Sequence, residues 1–149
     1  MNELQLREAA PDDAKIIAEL LGELGYPADP AEIPARIDAV RREGGDVFLA
    51  VDSSRIPLGV MALSRHSAIH TPGPVAYIDA LVTSSKARRR GVGRFLVSEA
   101  KRWAANAGCS RLTLTSAEHR VAAHEFYPSC GMPYTGRRYS TAIPVGTSV

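Results

Sequence analysis

A mixed α/β domain is the fold class this sequence predicts, and three observations predict it. Two early segments carry apolar residues at helical spacing, three strand-like segments then follow one another, and a basic loop with glycines joins a strand to the longest helical stretch. The resulting order, β-αα-βββ-α-β-α-β, belongs to a mixed α/β architecture. The 149 residues suit one domain, 1–149, with one sizeable core.

Leu4 to Glu8 alternates polar and apolar side chains and reads as a first strand. Asp12 and Asp13 follow Pro11 and mark a helix start, since a carboxylate can accept the N–H groups that a first turn leaves unpaired. Ile16, Ile17, Leu20, Leu21 and Leu24 form the apolar stripe, and Gly25 ends it. A second start is written in Asp29-Pro30-Ala31-Glu32: Asp29 caps, Pro30 suits the first turn, and Glu32 stands three residues after the cap. Ile33, Ile37 and Val40 continue that stripe until Gly44-Gly45.

Val47 to Val51, Leu58 to Leu63 and Tyr77 to Thr83 read as strands, parted by the turn-rich Asp52-Ser53-Ser54 and by Thr71-Pro72-Gly73-Pro74. Gly91 to Ala107 is the strongest helix. Val92, Phe95, Leu96, Ala100, Trp103 and Ala107 trace one face, and Gly108 caps it. Arg111 to Thr115 reads as a buried strand, and Val121 to Cys130 as a short helix closed by Gly131. The tail Arg137 to Val145 would add one more strand.

A formal net charge of +2 is too mild to imply nucleic acid, and the chain lacks interleaved aromatics and a zinc pattern. Cys109 and Cys130 sit in no paired spacing, which fits reduced thiols in a cytosol. Cys109 reads as a small buried apolar residue. The sequence shows no basic-then-apolar leader and no apolar run near the roughly 20 residues of a membrane span, so a soluble cytoplasmic protein is expected. His66 and His70 straddle a strand end without a His-Glu-x-x-His pattern, and no metal is expected.

The chemistry concentrates between Leu81 and Gly93. There a strand runs through Val82 and Thr83 into Lys86, Arg88, Arg89 and Arg90, then Gly91, Val92 and Gly93 at a helix start. A helix N-terminus offers unpaired N–H groups and a partial positive charge, and glycines let a ligand come close to the backbone. This is an anion cradle suited to a pyrophosphate. It is not a dinucleotide fingerprint, for the third glycine is missing, nor a Walker loop, for no Gly-Lys-Ser/Thr follows.

Arg88-x-x-Gly91-x-Gly93 resembles the pyrophosphate loop of the GNAT superfamily of acyl-CoA N-acyltransferases. Ala123-His124-Glu125-Phe126-Tyr127-Pro128-Ser129-Cys130-Gly131-Met132 resembles that family's later A-x-x-F-Y-x-x-x-G-F segment. The resemblance covers nearly the whole chain. It implies a central mixed, mostly antiparallel sheet of about six to seven strands flanked by about four helices. It departs from the family at Met132, where Phe or Tyr is usual, and at Arg120, where many members carry asparagine.

Residue by residue, the resemblance implies that backbone N–H groups from Arg89 to Arg94 hold the pyrophosphate of acetyl-CoA, with Arg88 completing the loop. Leu81, Val82 and Thr83 would line the pantetheine arm, Leu81 and Thr83 through main-chain groups, and Phe126 would join the cofactor contacts. The Thr83 N–H would also polarise the thioester carbonyl. Tyr127 falls on the family's acid for the departing thiolate, a step that suits a neutral phenol. Asp79 lies on the strand leading into the loop, where related enzymes often carry a carboxylate, and could take the amine proton directly or through water; Glu118, His119 and His124 are weaker candidates.

The function implied is transfer of an acetyl group from acetyl-CoA to a primary amine, on a small molecule or a protein, by direct attack in a ternary complex. The alternative is a catalytically silent acyl-CoA sensor or partner module of the same fold. A homodimer is open to such a fold, because its last strand can pair or swap with a second copy.

Overall fold

The computed structural model describes residues 3–117 and 119–145. The chain divides into two compact units, Met1–Leu114 and Thr115–Val149.

In the first unit, β1 (Gln5–Glu8) leads to α1 (Ala14–Leu24) and α2 (Ile33–Arg42). Then come β2 (Asp46–Val51), β3 (Pro57–His66), β4 (Val75–Thr83), α3 (Val92–Asn106) and β5 (Arg111–Leu114). The five strands form one sheet in chain order, antiparallel from β1 to β4. β4 and β5 are parallel, as they must be with a helical crossover between them.

Both expected helix starts are present. Asp13 accepts the Ala10 N–H at 2.7 Å and pairs with Arg7 at 2.9 and 3.0 Å. Asp29 accepts the Ala31 N–H at 2.9 Å. Each carboxylate sits at a short 3-10 turn, Pro11–Asp13 or Pro30–Glu32, that feeds the helix. Gly25 ends α1 at φ 101°.

The sheet carries an apolar layer on each face. Alternate residues of β2 part between them: Val47, Leu49 and Val51 join Ile17 and Leu20 of α1 and Ile33 and Ile37 of α2. Phe48 and Ala50 join Val92, Leu96 and Ala100 of α3, together with Met61, Leu63 and Ile78. Trp103 packs against this second layer, partly buried, as its place on the helical stripe requires. Gly59 permits the close seat of α3: a Cβ there would lie 2.9 Å from the Val82 carbonyl and 3.0 Å from Val92.

In the second unit, α4 (Val121–Ser129) is capped by Cys130, whose N–H reaches the carbonyls of Phe126 and Tyr127. Gly131 follows at φ 83°. Cys130 is buried, whereas Cys109 is only partly so.

Several expectations are corrected. β5, expected to be buried, is exposed at Arg111 and half-buried from Leu112 to Leu114. The sheet has five strands among the described residues, not six or seven. The tail Arg137 to Val145 forms no strand. Tyr139, Ile143 and Val145 stand 86%, 79% and 94% exposed. Apolar side chains at alternating positions do not make a strand unless a neighbouring backbone completes the ladder, and Pro144 brings no donor to one.

Candidate active site

The site begins with a change of phase in β4. Ala62 of β3 stands opposite Ala80, but the next residue, Leu63, stands opposite Ile78. Asp79 is therefore the extra residue of a β-bulge, exposed on its strand. The parallel partner β5 reaches only from Val75 to Ile78. From Asp79 to Thr83, among the described residues, β4 thus has a strand neighbour on one side only. An open strand edge can accept an extended ligand through main-chain hydrogen bonds.

The turn after β4 is held from three directions. The Ser84 N–H donates to the Leu58 carbonyl at 2.7 Å, and Glu23 of α1 accepts the Ser85 N–H at 2.8 Å. Ala87, 1% exposed, is anchored in the layer beneath α3. Beyond that anchor, Arg88 to Gly91 are exposed. Arg89 and Gly91 take left-handed conformations, φ 64° and 75°. Such steps turn successive N–H groups toward a common side, as anion-binding nests do.

The first ladder bond of α3 runs from the Phe95 N–H to the Gly91 carbonyl at 3.0 Å. The N–H groups of Val92 and Gly93 precede it, at the positive end of a 15-residue helix. Nothing lies within 4 Å of where a Cβ on Gly91 would be, which leaves room for an anion against the backbone.

Arg90 is turned to the β2–β3 corner, where its Nη2 lies 3.5 Å from Asp52 Oδ2. Asp52 Oδ1 also accepts the N–H groups of Ser54 at 2.9 Å and Ile56 at 3.2 Å. Burial works against the Asp52 charge, but the Ile56 and Ser54 N–H groups and the Arg90 guanidinium outweigh it and hold the carboxyl below its usual range.

In the second unit, Tyr127 of α4 is half-buried. Burial pushes its phenol above the ordinary value, nearby Cys130 adds to the shift, and Arg120 opposes it. Phe126 meets the Tyr127 ring edge-on at 5.1 Å. The His124 ring nitrogen Nε2 lies 3.1 Å from the Ala117 carbonyl, and His119 is exposed. Glu118 lies outside the described residues.

The acetyltransferase (GNAT) family model matches residues 14–132. This chain belongs to the GNAT acetyltransferase family.

It is 29% identical over 147 residues to an aminoglycoside N(6')-acetyltransferase type 1 of Stenotrophomonas maltophilia, covering 96% of this chain and 95% of that one. It is 32% identical over 146 residues to an N-acetyltransferase of Bacillus subtilis named YhdJ, covering 97% and 98%. Among solved structures, an aminoglycoside N-acetyltransferase in complex with CoA superposes with a TM-score of 0.82 over 97% of each chain, at 16% identity. That likeness is one of fold.

GNAT acetyltransferases use acetyl-CoA. Leu81, Val82 and Thr83 close β4, and Arg88 to Arg94 span the loop and the first turn of α3, with the space over Gly91 left clear. Asp79 stands on the same strand, at its bulge. Phe126 and Tyr127 belong to α4 in the second unit. His66, the last residue of β3, stacks on Tyr77 at 5.2 Å, and among the described residues no group of three or more His, Cys, Asp or Glu is arranged to hold a metal. No helix among them is long and apolar enough to cross a membrane.

Two contributors escape a sequence reading. Glu23 appears as one more polar residue of α1, and Asp52 as a turn residue. Each acts on the loop across a long separation, Glu23 on Ser85 and Asp52 on Arg90. Turn chemistry marks Asp52 as bonded locally, but gives no sign of its distant partner.

Proposed function

We propose that this chain, as a single acetyltransferase domain over 1–149, transfers the acetyl group of acetyl-CoA to a primary amine by direct attack in a ternary complex. One observation carries the reading: the open edge of β4 runs directly into a left-handed basic loop at a helix N-terminus. Strand edge and anion cradle in sequence match the two ends of a pantetheine diphosphate. The single domain is supported by the family match, whose residues 14–132 fall in both units.

Acetyl-CoA, when bound, supplies an activated thioester carbonyl. The backbone N–H groups from Arg89 to Arg94 hold its diphosphate, with Arg88 beside them, and Leu81 and Thr83 pair with the pantetheine arm. The Thr83 N–H serves the carbonyl oxygen, where negative charge develops. Asp79 receives the proton that the amine gives up, directly or through water, and its exposure on the bulge suits exchange with solvent. Tyr127 donates its phenolic proton to the departing sulfur; a phenol is a neutral donor at physiological pH.

For the amine, the relative of 29% identity makes an aminoglycoside with a 6'-amine the first acceptor to try. The reaction consumes a cationic ammonium in neutral form, so Asp79 also offers that cation an opposite charge on approach.

The test is thermal unfolding with acetyl-CoA, with ATP and NAD as controls. Ligand at about 100 times its Kd adds about 2.7 kcal/mol to stability, a rise of a few degrees for a domain of this size. A rise with acetyl-CoA alone supports the reading. A rise only with ATP or NAD, or none, overturns it. Tight acetyl-CoA binding with no turnover on any amine would favour an acyl-CoA sensor.

A further inference from the structure

We infer that Asp52 is a positioning residue for the cofactor loop: by holding the Arg90 guanidinium at the β2–β3 corner, it fixes the backbone that presents N–H groups to the diphosphate. The inference rests on the reading of that loop as the acetyl-CoA diphosphate site.

Three observations support it. Asp52 is a buried carboxylate, 8% exposed, in a position where a charge is costly unless it is paired. It divides its two oxygens between tasks: Oδ1 closes its own turn through Ser54 and Ile56, and Oδ2 faces Arg90 at 3.5 Å. Its partner sits between the two left-handed residues of the loop, Arg89 and Gly91. Left-handed backbone is unfavourable for a residue with a side chain such as arginine, so Arg89 needs a constraint from outside the loop. The loop has one at its start, where Glu23 and Ala87 fix the turn, and the Asp52–Arg90 pair supplies one at its end.

The sign of the effect separates positioning from bulk electrostatics. Asp52 puts a negative charge beside a site for a polyanion. By Coulomb's law alone, Asp52→Asn should tighten acetyl-CoA binding. Positioning demands the reverse, because asparagine keeps an oxygen for Ser54 and Ile56 but loses the charge that holds Arg90.

The experiment is calorimetric titration of wild type, Asp52→Asn and Arg90→Lys with acetyl-CoA and with acetyl-pantetheine, which lacks the diphosphate. Asp52→Asn is expected to weaken acetyl-CoA binding by about threefold to fivefold, the size of a partly exposed ion pair's contribution, and to leave acetyl-pantetheine unaffected. Arg90→Lys preserves the charge and the turn but not the planar fork, and is expected to weaken acetyl-CoA binding in the same direction. Arg90→Lys also keeps the question open to test if Asp52→Asn does not fold. Unchanged or tighter acetyl-CoA binding in either variant overturns the inference, as does an equal loss for both ligands. A wild type that binds no acetyl-CoA removes the loop reading itself, whereas a wild type that binds with variants that match it removes only the role of Asp52.

Discussion

Ile78 and Leu81 lie three positions apart on β4, yet both pack into the layer beneath α3. Strict strand alternation would pair Ile78 with Ala80 and Val82, but Val82 joins the layer under α1 and α2. The extra residue between them, Asp79, resets the phase. The bulge falls just where β5 stops pairing, so an open edge and an exposed carboxylate adjoin on β4.

Asp79→Asn keeps the bulge, since asparagine has nearly the same shape, and removes the proposed proton acceptor. Acetyl-CoA binding is expected to be unchanged, while turnover on an amine falls by about 100-fold, the lower end for general-base catalysis. Steady-state rates across pH check this. Wild-type turnover in the variant would move the base role to His119, His124 or solvent.

Gly91→Ala isolates backbone conformation from contact. A methyl group there meets nothing within 4 Å, but φ is 75°. The expected cost is about 1 kcal/mol of stability, read by denaturant titration, with acetyl-CoA binding weakened as well. Loss of binding with no loss of stability would mean that the methyl blocks the ligand rather than straining the loop.

Asp13 links the fold to pH. Hydrogen bonding from Arg7 lowers its pKa against the opposing effect of burial, and the Ala10 N–H adds to the lowering. A depressed carboxyl stabilises the native state above its unfolded pKa, and that stability disappears as pH falls through the native one. Asp13→Ala is therefore expected to cost about 1 kcal/mol at pH 7, the size of its lost hydrogen bonds to Arg7 and Ala10, and to differ less from wild type in acid, once the carboxyl is protonated in both states. Equal differences at both pH values would assign the loss to packing instead of charge.

The sequence carried most of this architecture in local signals. Asp13, Asp29, Gly25 and Gly108 act within a few residues of themselves, so the helix limits could be read directly. The basic loop was legible for the same reason: arginines, glycines and a helix start are adjacent in the chain. What could not be read depends on remote partners. The Asp52–Arg90 pair joins residues 38 positions apart, and the Asp79 bulge exists only relative to the register of β3. The tail misled because Tyr139, Ile143 and Val145 have strand-forming side chains, while a strand is made by its neighbour.

Tyr127 brings function and stability together in one group. Its folded pKa is raised by burial above the ordinary value of about 10. A raised group contributes stability that is fully present below its unfolded pKa and is lost as pH rises through the folded one. Wild type should therefore lose stability in alkali above about pH 10, and Tyr127→Phe, which cannot ionise, should lose less. The same substitution removes the proposed proton donor. Turnover is expected to fall by about 100-fold, with acetyl-CoA binding retained, because the proposed diphosphate loop lies on other elements. The two readouts are independent: alkaline unfolding followed by circular dichroism tests the burial of the phenol, and the turnover rate tests its proton. A variant that resists alkali but turns over at the wild-type rate would show a half-buried tyrosine whose proton the thiolate does not need.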